Sequence, residues 1–244
     1  MLAAWLDAHG RALWWVACVG CAVPGLWLAF CAAGQVLGPN PLESLLHVTG
    51  ETARTLLLVA LSITPLRDAA GWLSRRVRSR HGKRLSDWNW LVRMRRMFGL
   101  WCFAYAFAHA ALFFEFDLGR DLSVAWAELV EKPYLMVGAI ALVGLLPLAV
   151  TSTRSMMVLL GRHWAPLHRL VHPVSLLVLA HEWMTMKAGS LDAVPATLVL
   201  CVLLGHRLLV SAGRIRAAGH DGVEVPERLP GDRSGQELRA PGTR

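Results

Sequence analysis

Charge is scarce in this sequence. Only 17% of its 244 residues are Asp, Glu, Lys or Arg, against 55% hydrophobic, and mean hydropathy is +0.44. That balance excludes an ordinary soluble globular chain. A disulfide framework is also missing, because Cys18, Cys21, Cys31, Cys102 and Cys201 all lie inside apolar runs. Cys18 and Cys21 form a C-x-x-C, but in a stretch rich in Trp, Val and Ala they read as small packing residues. No G-x-G-x-x-G follows a strand pattern, which excludes a dinucleotide-binding unit carried by the chain itself. The basic, apolar, small-residue pattern of a cleaved leader is lacking too. The first apolar stretch runs on through Trp14, Val23 and Phe30 and is expected to remain attached as a membrane span.

Uninterrupted apolar runs are what the sequence does have. A helix needs about 20 residues to cross roughly 30 Å of hydrocarbon, and six segments approach that length: 12–33, 43–64, 97–116, 134–152, 166–185 and 191–211. They are continuous rather than alternating, so helices are expected instead of a barrel. The reading is an all-α integral membrane protein, a six-transmembrane-helix bundle.

The net charge of +8 suggests nucleic acid at first sight, yet the basic residues gather beside the apolar segments and act as topology signals. Arg67, Arg75, Arg76, Arg78, Arg80, Lys83, Arg84, Arg93, Arg95 and Arg96 mark the second connection as cytoplasmic. The third connection holds Asp117, Asp121, Glu128 and Glu131 against Arg120 and Lys132, and the first has no Lys or Arg. Both are therefore placed outside. Arg154 and Arg162, and then Arg207, Arg214 and Arg216, complete an alternation with both termini cytoplasmic. Three parts follow: residues 1–42 with the first span, a membrane domain over 43–211, and a polar tail over 212–244 expected to be disordered.

Ionisable residues inside spans are costly, so each is a functional candidate unless a structural partner explains it. His109 lies about 18 Å along the third span from Met97, and His181 about 20 Å beyond His168 along the fifth, at about 1.5 Å per residue. Both spans run outward, so His109 and His181 share a depth. Neutral imidazoles facing each other across parallel helices suit the axial positions of a low-spin heme. His168, at the cytoplasmic end of the fifth span, is a candidate ligand for a second heme. On an ideal helix it points roughly 140° away from His181, although Pro173 between them can rewind the helix. A structural hydrogen bond is the competing role for His168. His172 competes with it one turn on, and His206 is a candidate partner. His47 and His163 are placed at the interfaces. The eleven tryptophans fit aromatic belts. Arg54, with Glu51 in the second span, is a candidate to hold a heme propionate or a flavin phosphate, or else forms a structural i, i+3 pair.

The runs H-V-T-G at His47–Gly50, T-P-L-R at Thr64–Arg67, R-R-M-F-G-L at Arg95–Leu100, Y-A-F-A-H at Tyr105–His109, K-P-Y at Lys132–Tyr134, P-L-A-V-T-S at Pro147–Ser152, and W-A-P-L-H-R-L-V-H followed by L-A-H-E-W-M-T-M-K resemble one family. It is MsrQ, the heme-binding membrane subunit of the bacterial methionine-sulfoxide reductase system, within the ferric-reductase-like transmembrane group. The likeness covers about residues 45–190. It implies heme b, FMN, electrons from the quinone pool, a multi-pass position in the bacterial inner membrane, and a periplasmic molybdopterin-containing partner subunit that reduces methionine sulfoxide in oxidised proteins. It implies ligand roles for His109, His168 and His181, and no flavin ligand. The wider group carries a histidine near the position of Arg95, so the likeness does not carry over a conventional second bis-histidine heme.

The expected role is an electron conduit that makes no bonds on methionine sulfoxide itself. The alternatives are a stand-alone ferric or quinone reductase, which the missing nucleotide domain disfavours, and a heme-free transporter whose histidines relay protons.

Overall fold

The computed structural model describes residues 2–76, 89–186 and 190–220, and every described regular element is helical. In chain order these are α1 (Leu2–Ala33), α2 (Pro41–Arg76), α3 (Asn89–Phe116), α4 (Leu122–Glu131), α5 (Pro133–Val150), α6 (Arg154–Leu160), a 3-10 turn (Gly161–His163), α7 (Trp164–His168), α8 (Val171–Thr185) and α9 (Val194–His220). Clustering divides the chain into residues 1–207 and 208–244.

Among the described residues, four helices are long and apolar enough to cross a membrane: His9–Ala33, Arg93–Phe116, Pro133–Val150 and Val194–Ala212. The second and fifth expected spans are not among them. α2 interrupts its apolar run with Glu51 and Arg54, and α8 has only 15 residues. α9, where the sixth span was expected, continues to His220, past the expected end at residue 211, and the rest of the expected tail lies outside the described residues.

α2 lies along α3 and α5 along α8, with α3 also touching α5 and α1 resting on α2 and α3. Between apolar helices in lipid, packing rather than water exclusion drives association, so small residues belong at the contacts. Ala53, Ala60 and Cys102 are buried there beside Leu56, Leu57 and Leu61. Cys18 and Cys21 are free thiols, and Cys21 is part of this core.

Pro24 removes one N–H from the middle of α1. Beside it, the Tyr105 hydroxyl enters the next turn, accepting from the Gly25 N–H at 2.8 Å and donating to the Cys21 carbonyl at 2.7 Å. A Cβ on Gly25 would lie 3.0 Å from that hydroxyl oxygen, so glycine permits the approach. The result ties α1 to α3 through the backbone groups that lipid cannot satisfy.

Two connections contain helices that the apolar runs did not reveal. α4 starts at Asp121, whose carboxylate accepts from the Ser123 and Val124 N–H groups. The Ser123 hydroxyl, followed by those two backbone donors, holds this carboxyl below its usual range. The expected fifth span is also broken: His168 ends α7, and His181 lies on α8. Three i→i−3 bonds, Arg169 to Pro166, Leu170 to Leu167 and His172 to Arg169, tighten the chain just ahead of Pro173. Proline disfavours helical geometry in the residue before it. The helix is thus interrupted between His168 and His181, so the ideal-helix angle between them does not apply.

Candidate metal centre

His109 projects from α3 and His181 from α8, and their ring centres lie 6.4 Å apart with planes at 87°. Each ring is anchored on a different neighbouring helix. His109 Nδ1 lies 3.0 Å from the Leu46 carbonyl on α2, with the Thr49 hydroxyl at 3.3 Å. His181 Nδ1 lies 2.8 Å from the Tyr134 carbonyl on α5. A carbonyl only accepts, so Nδ1 carries the hydrogen in both neutral rings, leaving the Nε2 lone pair for a ligand. A hydrogen bond from the second ring nitrogen to a carbonyl is the usual support of a metal-bound histidine.

A glycine lies behind each ring. A Cβ on Gly50 of α2 would stand 3.2 Å from Cε1 and Nδ1 of His109, and one on Gly138 of α5 would stand 2.8 Å from the same atoms of His181. The rings therefore occupy space that any larger residue would fill. Two imidazoles this close, each with its Nε2 lone pair free, could both serve as ligands of one ion. Among the described residues no group of three or more His, Cys, Asp or Glu could hold a metal ion. The pair fits an iron whose other four ligands belong to a macrocycle.

The other histidines are engaged differently. His168 stacks on Trp164, with centres 4.2 Å apart. Its Nε2 lies 3.1 Å from the Thr151 hydroxyl, which gives its own hydrogen to the Pro147 carbonyl at 2.5 Å. Nε2 of His168 is therefore the donor, and Nδ1 holds the lone pair. His172 has both nitrogens occupied: Nδ1 donates to the Arg169 carbonyl at 2.7 Å, and Nε2 accepts from Arg207 Nη1 at 2.7 Å. This removes His172 from competition for a metal. His206 Nδ1 is buried without a partner. His47 is exposed and faces Glu51 at 3.5 Å.

Arg54 bridges two helices. It pairs with Glu182 of α8, next to His181, and its Nη2 donates to Glu51 at 3.2 Å. The expected i, i+3 contact with Glu51 is present, together with a second carboxylate that this spacing did not disclose. Both side chains of the interhelical pair are largely buried, at 17% and 20% exposure. Removing one partner of such a pair costs about 3–5 kcal/mol, whereas replacing both with apolar groups is often neutral. Arg54→Met is expected to lower the melting temperature sharply, and Arg54→Met with Glu182→Leu to recover most of it, measured by thermal unfolding in detergent. A clamp predicts that metal-site occupancy recovers in the double variant; a cofactor anchor predicts that it does not.

The ferric reductase like transmembrane component family matches residues 49–179, the stretch that holds His109, most of α2, all of α3 and α5 and the first part of α8, ending just before His181. Three curated relatives carry the name "Protein-methionine-sulfoxide reductase heme-binding subunit MsrQ". That of Herminiimonas arsenicoxydans is 40% identical over 166 residues, 68% of each chain. That of Xanthomonas axonopodis pv. citri is 35% identical over 182 residues, 75% of this chain and 76% of the relative. That of Xanthomonas oryzae pv. oryzae is 34% identical over 193 residues, 78% and 81%. The chain belongs to the MsrQ family. No solved structure matches it.

Sequence reasoning singled out His109 and His181 but missed the groups that support their rings. Thr49 and Gly50 were visible only as part of the H-V-T-G run, and Gly138 stands in an apolar run without any local signal. Leu46 and Tyr134 act through backbone carbonyls, which side-chain chemistry does not reveal.

Proposed function

We propose that the chain binds heme b between His109 and His181 and passes single electrons to a periplasmic methionine-sulfoxide reductase subunit. The observation that carries the proposal is the matched pair of imidazoles, each with Nδ1–H committed to a carbonyl and the Nε2 lone pair left free. Bound there, heme supplies a reversible one-electron centre. The protein fixes the tautomers through Leu46 and Tyr134, holds the ring planes with Gly50 and Gly138, and maintains the spacing of α2 and α8 with the Arg54–Glu182 pair. A rigid ligand pair suits electron transfer because the same two nitrogens serve both oxidation states.

The six-span topology with cytoplasmic termini is part of this proposal. α2 and α8 cross as interior helices, their charges satisfied by each other rather than by water. Residues 43–211 then form the heme domain, with His109 and His181 toward the outer face where the partner docks. The inner-membrane location, the molybdopterin-containing partner, the quinone pool as donor and FMN as a second cofactor follow from the family likeness alone, and no residue is assigned to flavin or quinone. His168 is the remaining candidate for an inner heme, through Nδ1. His168→Ala should lower the heme count without abolishing the outer signal; an unchanged count and spectrum would remove it from the ligand set.

Co-reconstitution tests the function. Membrane vesicles holding the chain and a purified catalytic subunit should reduce methionine sulfoxide at the expense of a quinol, and vesicles lacking either component should not. Reduction of a ferric chelate at a comparable rate without the partner would favour the stand-alone reductase instead.

A further inference from the structure

The arginine-bearing end of the bundle contains a guanidinium that its neighbours leave half used. Arg207 gives Nη1 to His172 Nε2 at 2.7 Å. Nε and Nη2, the two donors on the same edge, are buried and have no partner. Buried donors of a charged group are almost always satisfied in folded proteins, and this edge is the fork that grips two oxygens of a carboxylate or phosphate. His172 cannot release Arg207 from its position, because the ring's other nitrogen donates to the Arg169 carbonyl.

The surroundings favour an anion. Arg95 of α3 lies close enough to Arg207 and His172 to act on both electrostatically. Arg96, next in the chain, carries a buried Nη2 without a partner. Asp68 attracts Arg207 but does not reach the open edge. The two imidazoles nearby, His168 and His172, add no opposite charge. Arg95 and Arg207 also stand near the ends of the candidate spans Arg93–Phe116 and Val194–Ala212. That depth is where basic pockets between helices meet lipid headgroups.

We propose that Arg207, with Arg95 beside it, forms a phosphate-binding site whose occupant is the headgroup of an anionic phospholipid or a free phosphate. The site is separate from His109 and His181 and does not depend on their role; it lies beside His168, on which Arg95 also acts, so an inner heme at His168 would compete with this occupant. Arg207 supplies two parallel hydrogen bonds through Nε and Nη2; Arg95 adds charge; His172 sets the direction of the fork.

The test uses the full chain, native and as Arg207→Gln, Arg207→Lys and Arg95→Gln, by native mass spectrometry from nanodiscs of phosphatidylcholine with and without phosphatidylglycerol, and by titration with inorganic phosphate. Monodisperse elution shows that each variant is folded. The native chain should retain phosphatidylglycerol over phosphatidylcholine, and Arg207→Gln should lose that preference by on the order of tenfold. Arg207→Lys, which keeps the charge without the fork, should lose a substantial part of it as well. Displacement by inorganic phosphate would identify the bare anion as sufficient; retention against phosphate would assign the site to the lipid. Two results would overturn the proposal. One is equal preference in the native and Arg207→Gln chains. The other is loss of heme with lipid retention unchanged, which would assign the fork to a heme carboxylate.

Discussion

Replacing either His109 or His181 with alanine is expected to remove the b-type absorption of the outer heme from the purified protein. The two rings share one site, so the variants should behave alike and not additively. Loss of an axial nitrogen should exceed the roughly 10–100-fold affinity loss that follows removal of a supporting group around a metal ligand. Heme titration of the two variants measures this. A single variant that kept full heme and an unaltered spectrum would exclude that histidine as a ligand.

The second large effect concerns a residue with no chemistry of its own. Gly138→Ala places a Cβ 2.8 Å from Cε1 and Nδ1 of His181, closer than real contacts allow, and the ring cannot retreat without giving up the Tyr134 carbonyl at 2.8 Å. Heme affinity should fall by about 10–100-fold, the range for disturbing a ligand's support. Gly50→Ala, whose Cβ would stand 3.2 Å from His109, should cost less. Gly99→Ala is the control. It meets nothing within 4 Å and should leave heme binding intact while gaining roughly 0.5–1 kcal/mol in helix stability. If Gly138→Ala bound heme as tightly as Gly99→Ala, the position of His181 would not be what the site depends on.

These two predictions show how the site divides between what sequence could and could not disclose. Histidine in an apolar run is conspicuous because burying it is expensive, and a shared depth for His109 and His181 followed from counting residues along two outward helices. The glycines, and the carbonyls of Leu46 and Tyr134, act through shape and backbone, and neither leaves a mark on composition. The clamp was half legible: Arg54 stood out as a charge among apolar residues, but its partner Glu182 is 128 positions away, and no local spacing connects them.

The fold divides in the same way. Long apolar runs located α1, α3, α5 and α9, where length and hydropathy alone suffice. They overestimated the fifth segment as one helix, because hydropathy does not register how the turns at Arg169 and Leu170, just before Pro173, separate α7 from α8. They passed over α4, whose start is signalled by the Asp121 cap rather than by hydrophobicity. They also left His172 open as a competitor of His168. The structure closes that alternative through Arg169 and Arg207, two contacts that periodicity does not encode.

The measurement that tests the central claim most directly is the reduced-minus-oxidised absorption spectrum of the native chain, purified from cells supplied with heme, with a pyridine hemochrome count on the same sample. Sharp b-type bands, with at least one heme per chain, are the expected result. A colourless protein that takes up no added heme would contradict the account and favour a heme-free role for the buried histidines.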